Sequence, residues 1–237
     1  MTKDLLGKAM LDYIQNNQPE NLLTETNISE PDEMNVAYLF RSFNEMPAIE
    51  QMALNLSKGK VLEVGCAAGS HTLHLQNQGL NVTAIDVSAG AVATCKLRGI
   101  KTVFQRDLLS MPTEERFDTI LLLMNGTGIF GKLRNMDTYL NKLKQLLTPN
   151  GQILIDSSDL IYMFDEDDDG GKWIPLYGDY YGELTFKMSY KGETDTPFDW
   201  LYLDYNTLQN ACIAQNLSCE LLLEGNNYDY LARITLI

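Results

Sequence analysis

From Val61 onward, short runs rich in Val and Ile alternate with stretches of helical period. A run that is apolar at consecutive positions has to be buried on both faces, so this alternation is the sequence form of a parallel sheet covered by helices on each side. The pattern predicts strands over 61–64, 82–86, 102–105, 119–124 and 153–156, with helices over 70–77, 89–97 and 136–147. The last helix has the clearest signal: Met136, Tyr139, Leu140, Leu143, Leu146 and Leu147 form one apolar stripe, and Pro149-Asn150-Gly151 ends it. With 237 residues, 45% of them hydrophobic, the chain can bury a core of that size.

After Asp156 the rhythm breaks. Some fifty residues rich in Tyr, Asp and Gly intervene, within which 183–190 and 200–204 read as paired strands joined across Gly192. A helix is expected over 207–215. Two final runs, 219–223 and 230–237, are separated by the turn formers Gly225-Asn226-Asn227, which predicts a hairpin and an antiparallel C-terminal edge. Upstream of the sheet, 3–15 and 34–56 have helical spacing, with Pro19 and Pro31 in the polar link between them. The expected organisation is a helical cap at 1–56 and a main domain at 57–237, with an insertion at about 158–204.

Lys and Arg number 18 and Asp and Glu 32, a net charge of −14, which argues against a nucleic-acid or anionic-membrane binder that works by neutralising phosphate. No apolar run is long enough to span a bilayer, and the expected compartment is the cytoplasm. Cys66, Cys95, Cys212 and Cys219 show no C-x-x-C spacing, so they read as reduced and mostly buried. The acidic run Asp165-Glu166-Asp167-Asp168-Asp169-Gly170 opens like a calcium loop. Its twelfth position, where a bidentate Glu is needed, is Leu176, so a solvated loop or a mouth that attracts cations is the better reading. His71 and His74 sit three apart on a helix with no third ligand spaced to join them. They read as surface or packing residues, and no metal is expected.

The chemistry lies in the first strand-to-helix turn, Gly65-Cys66-Ala67-Ala68-Gly69-Ser70. Small residues there let a ligand approach the backbone, and the helix start offers free N–H donors. The dinucleotide pattern G-x-G-x-x-G fails at Ala67 and Ser70. Instead the turn follows Glu63, whose charge repels a pyrophosphate but attracts a cation, and S-adenosylmethionine carries an ammonium and a sulfonium. Asp86 ends the next strand, where a carboxylate can accept from both ribose hydroxyls. Asp107 follows the third strand, placed to accept from an exocyclic amine. Together these acids form a row along the carboxyl edge of the sheet.

Glu63-Val64-Gly65-Cys66-Ala67-Ala68-Gly69, then Val82-Thr83-Ala84-Ile85-Asp86, then Gln105-Arg106-Asp107-Leu108, resembles the class I S-adenosylmethionine-dependent methyltransferases over roughly residues 55–237. The resemblance implies an α/β, Rossmann-like sandwich: a mostly parallel seven-stranded sheet with an antiparallel C-terminal hairpin, helices on both faces and S-adenosylmethionine as cofactor. Gly65, Ala67 and Gly69, with Cys66 between them, would lie under the methionine part. Asp86 would hold the ribose, Val87 would pack on adenine, and Asp107 with the Leu108 N–H would read the adenine edge. Met124 and Asn125 end the fourth strand where the methyl group would point. Ala67 stands where the family most often has Gly.

Direct displacement from a sulfonium asks the protein to align the reacting atoms and exclude water, so no catalytic motif is required and no base is assigned. The Asn/Asp-Pro-Pro-aromatic signature of nucleobase methyltransferases is absent, which leaves a small molecule as the expected acceptor. Arg41, on a segment that would cover the cofactor, could pair with the methionine carboxylate or with a surface acid. Tyr38 and Phe130 are candidate acceptor contacts. So are Trp173 and Tyr181, from an insertion whose aromatics, Tyr177, Tyr180 and Trp200 among them, form either an acceptor pocket or the core of a flap. Alternatives are a cofactor-binding protein without catalysis, an aminopropyl transferase of the same fold, and an NAD oxidoreductase. Oligomeric state is not readable from the sequence.

Overall fold

The structure is a computed structural model that describes residues 3–164, 167, 172 and 180–237. The chain runs α1 (Leu5–Ile14), β1 (Leu22–Thr26), β2 (Ser29–Met34), two 3-10 turns, α2 (Ala48–Leu56), β3 (Lys60–Val64), α3 (Ser70–Asn77), β4 (Asn81–Asp86), α4 (Ala89–Leu97) and β5 (Val103–Gln105). It continues through β6 (Phe117–Leu122), α5 (Met136–Leu146), β7 (Leu147–Ser158), β8 (Glu183–Tyr190), β9 (Glu193–Thr194), β10 (Phe198–Leu201), α6 (Tyr205–Ala214), β11 (Leu217–Glu224) and β12 (Asp229–Leu236).

Seven strands form the main sheet in the order β11-β12-β7-β6-β3-β4-β5. The pairs among β7, β6, β3, β4 and β5 are parallel, and β12 is antiparallel to both β7 and β11. Neighbouring strand residues face opposite sides, as the continuous apolar runs require. Leu62, Ile120 and Ile153 pack with α5 and α6, whereas Val61, Leu121 and Leu154 pack with α2 and α3. After β3 the chain builds outward through β4 and β5, then returns to place β6 on the other side of β3. That reversal opens a crevice at the carboxyl ends of β3 and β6, the place where open α/β sheets hold ligands.

Three elements differ from the sequence reading. Residues 34–56 are not one helix, because Pro47 is poorly accommodated in a helix interior: Met46 is extended and α2 starts only at Ala48. Ahead of it stand the 3-10 turns Val36–Phe40 and Phe43–Glu45. The polar link is a hairpin, β1–β2, whose strands LLTET and SEPDEM are mostly polar and carry no apolar alternation to betray them. Strand β1 pairs antiparallel with β8, giving a second sheet β10-β8-β1-β2 with β9 attached to β8. Pro31 and three acids on β2 suit an outer strand, since proline cannot donate to a further partner and charge discourages one. The cap is thus part helix and part strand, and it shares a sheet with the insertion. Strand β7 also starts earlier than expected, with Pro149-Asn150-Gly151 carried as a register break between Leu147 and Gln152.

Candidate active site

The turn after β3 leaves the sheet under hydrogen bonds from Gly65 N and Cys66 N to the Ile85 carbonyl, 2.9 and 3.2 Å. Gly69 has φ +78°, and a Cβ there would fall 2.1 Å from Ile100 Cδ1, so both conformation and space demand glycine. Ala67 adopts a positive φ of 46° as well, a conformation that costs an L-residue about 1–2 kcal/mol. The Asp86 carboxylate accepts from Ala67 N and Ser88 N, each at 2.9 Å, so the second strand's acid holds the first strand's loop. Burial raises its pKa against those two donors. Asp107 accepts from Leu109 N at 2.8 Å, capping a short turn that starts at the buried Leu108.

These groups open on a cavity of about 790 Å³ at the carboxyl ends of β3–β6. Gly65, Cys66, Ala67, Asp86 and Val87 line it. So do Asp107, Leu108, Met124, Asn125 and Arg41. Val87 is 66% exposed, an apolar side chain standing free inside a ligand-sized space. Of the residues expected on the cofactor side, Glu63 and Gly69 are not on the wall.

Glu63 lies beneath the wall, in a buried ionic cluster that the sequence did not reveal. Its carboxylate accepts from the Thr72 hydroxyl and contacts His71 Nδ1 at 3.1 Å. His71 Nε2 meets Glu50 at 2.7 Å, and Glu50 in turn pairs with the Arg41 guanidinium. Burial alone would lower the His71 pKa, but the two carboxylates outweigh it and raise it to about 9, so the ring is cationic at pH 7. His71 is therefore not a bystander: it lines the cavity and bridges two acids, while His74 does behave as a packing residue, stacked 4.2 Å from Phe43. Arg41 also donates to the Tyr38 carbonyl at 2.7 Å, and its Nε is buried without an acceptor among the described residues. The one signal that could have located Glu50 is its place on the apolar face of α2 beside Ile49 and Ala53, where an acid needs a partner.

At the end of β6, Met124 and Asn125 both take positive φ, 65° and 61°. Asp156 of β7 holds this turn by accepting from Met124 N at 3.1 Å and Gly126 N at 2.9 Å. Burial pushes Asp156 up to about 6 even with those donors. Asn125 is fixed by Ser157 Oγ, which donates to its Oδ1 at 2.9 Å. Thr127 Oγ1 donates to the Leu201 carbonyl at 2.9 Å, tying the turn to β10.

The opposite wall comes from the second sheet. Phe186 and Met188 on β8, Phe198 and Trp200 on β10, and Tyr202 just beyond all face the cavity. The indole of Trp200 lies against Gly128, where an added Cβ would come within 1.9 Å of it. The first turn of α1 adds Asp4, Leu5 and Leu6. Other expected acceptor contacts stand elsewhere. Tyr38 is 44% exposed with the Arg41 guanidinium 4.0 Å from its ring centre, and Phe130 is buried in the core, stacked 5.0 Å from Tyr139. Tyr181 donates to Asp159 at 2.7 Å and Tyr180 to Asp204 at 2.6 Å. Trp173, Tyr177 and all of the acidic run but Asp167 lie outside the described residues. The four cysteines are free, Cys66, Cys95 and Cys212 of them buried. No described helix is long and apolar enough to cross a membrane.

The profile of the methyltransferase domain family matches residues 61–151. An S-adenosylmethionine-dependent methyltransferase from Bacteroides fragilis, solved with S-adenosyl-L-homocysteine, is 44% identical at a TM-score of 0.91, covering 99% of this chain and 95% of that one. A second such enzyme, from Clostridium acetobutylicum, is 14% identical at a TM-score of 0.58, over 78% of this chain and 87% of its own, and shares the fold. The ubiquinone biosynthesis O-methyltransferase of Rickettsia conorii is 29% identical over 111 residues, 45% of this chain; the match spans only 37% of that relative's length.

Proposed function

The chain belongs to the S-adenosylmethionine-dependent methyltransferases of Rossmann-like fold, and on that premise we propose that it methylates a small molecule by direct displacement. Membership sets aside the nicotinamide and aminopropyl alternatives. The observation that carries the reading is a single cavity, about 790 Å³, with the strand-end acids on one side and an aromatic sheet face on the other. That volume suits a small ligand pair within the usual range of ~300–1,000 Å³.

The residues present fit the cofactor. Asp86 is half-buried and bonded to two backbone N–H groups, with lone pairs left for ribose hydroxyls. Val87 offers a free apolar face for adenine, and Asp107 with Leu108 stands at the next strand end. The unsatisfied Arg41 Nε suits a carboxylate at the β3 end. When bound, S-adenosylmethionine supplies an electrophilic methyl carbon on a good leaving group. The chain's own contribution is placement: the backbone of 65–67 and the Met124-Asn125 turn fix one side of the reaction axis, and the second sheet closes the other and excludes water.

Calorimetry with S-adenosylhomocysteine and with NADH tests the cofactor side. The first should bind and the second should not, and Asp86→Ala should weaken binding tenfold or more, since charged hydrogen bonds of this kind contribute about 1.5–3 kcal/mol. Undiminished affinity in that variant would remove Asp86 from the site. Methyl-labelled cofactor added to metabolite extracts then identifies the product.

A further inference from the structure

We propose that the methyl acceptor is an amine, seated with its nitrogen at the aromatic corner that Phe198 and Trp200 form with Phe186 and Tyr202. The inference rests on the methyltransferase reading and names the substrate class of the same cavity. Phe198 and Trp200 lie two apart on β10, and Phe186 stands opposite Phe198 in register on β8, which puts all three rings on one face of the sheet. Phe198 and Trp200 meet at 84° with centroids 6.1 Å apart; Phe186 stacks 5.9 Å from Phe198 and 6.4 Å from Tyr202. Aromatic faces carry negative charge density, and rings set at right angles present it to a cation from two directions.

The rest of the wall has the same sign. Besides Asp86 and Asp107, which the cofactor would take up, the carboxylates of Asp4 and Asp195 line the cavity, each bonded to backbone N–H groups rather than to a side-chain cation. Asp195 is held below the usual carboxylate range: burial works against this, but N–H groups of Lys3, Leu5 and Thr196 prevail. Among the described lining residues, Arg41 and His71 are already tied to Glu50 and Glu63, and Arg106 is the remaining cation. Such a field favours an amine over a carboxylate, phosphate or phenolate.

The chemistry agrees. In this field an aliphatic amine arrives as its ammonium and first gives up a proton to solvent; its lone pair then forms the new N–C bond as the C–S bond breaks and that bond's electron pair stays on sulfur. Positive charge returns to nitrogen during the step, and the ring faces stabilise it more in the transition state than in the neutral amine that attacks. The resulting methylammonium releases a proton to water. A hydroxyl acceptor would instead need a base. His71 is held protonated by its two acids, Asp156 is not among the residues that line the cavity, and the Tyr202 hydroxyl is pushed up to about 12 by burial. Asp199 pairs with Lys132, 3.5 Å away.

The test uses the protein saturated with S-adenosylhomocysteine and two probes of one shape, choline and its uncharged carbon analogue 3,3-dimethylbutan-1-ol, titrated by calorimetry. Choline should bind at least tenfold tighter. Trp200→Leu and Phe198→Leu, which keep bulk but remove the ring face, should each lose most of that preference, with S-adenosylhomocysteine binding showing that the variants are folded. Equal affinity for the two probes, or a preference that survives both substitutions, would overturn the proposal. If S-adenosylhomocysteine itself fails to bind the unaltered protein, the cofactor reading fails instead, and the probe pair still reports on the rings.

Discussion

Burial alone would strip His71 of its proton; the carboxylates of Glu50 and Glu63, 2.7 and 3.1 Å away, reverse that and carry its pKa to about 9, against 6.5 for a free imidazole. The folded state thus holds a proton that the unfolded chain gives up. Its contribution, on the order of 3 kcal/mol, is complete below pH 6.5 and fades as pH climbs through about 9. Denaturant midpoints should therefore fall between pH 7 and about 9.5, and His71→Gln should flatten that slope while lowering stability at pH 7. A variant with the parental slope would show that another group titrates there. Position 71 was visible in the sequence only as one of two helix histidines, because Glu50 and Arg41 come from distant segments. Asp86, Asp107 and the 65–69 turn were legible, since strand ends and small-residue turns are local features.

Beyond the two sheets, α1 also contributes to the cavity wall. It lies across α4 with Gly7 against Gly90, where a Cβ on Gly90 would sit 2.4 Å from the Gly7 carbonyl carbon. Asp4 fastens the contact by accepting from Gly7 N at 3.2 Å and Gly90 N at 2.9 Å. Gly90→Val should therefore lift α1 off α4. Because α1 brings Asp4, Leu5 and Leu6 to the wall, the expected result is a loss of about 2 kcal/mol or more in stability, with S-adenosylhomocysteine affinity weakened several-fold by calorimetry. Parental affinity in a destabilised variant would mean that α1 does not form part of the site. Helix α1 itself was readable from its period, as were α3, α4 and α5. The β1–β2 hairpin was not, since β2 is exposed along nearly its whole length at the sheet's edge and has no buried face to impose a hydrophobic alternation.

At the scale of the molecule, the second sheet joins segments that are far apart in the chain: β1 pairs with β8, Thr26 opposite Phe186 and Leu23 opposite Ser189. Asp12 of α1 adds to the join, accepting from the Tyr190 hydroxyl at 3.1 Å and pairing with Lys191 at 2.8 Å. Removing residues 1–34 should bare the inner edge of β8, and light scattering should then show association of the truncated chain. A monodisperse truncation product that binds S-adenosylhomocysteine as well as the full chain does would contradict this account of the second sheet.

By itself the sequence determined the parallel sheet, its antiparallel edge, the small-residue turn after β3 and the acids at the strand ends. Each of these depends on periods, turn formers and spacings confined to a few neighbouring residues. The fate of Glu63, the charge on His71 and the identity of the aromatic wall were decided only by tertiary structure. Those depend on which distant side chains meet in a low-dielectric interior, and on which face of an edge-bound sheet turns toward the cavity.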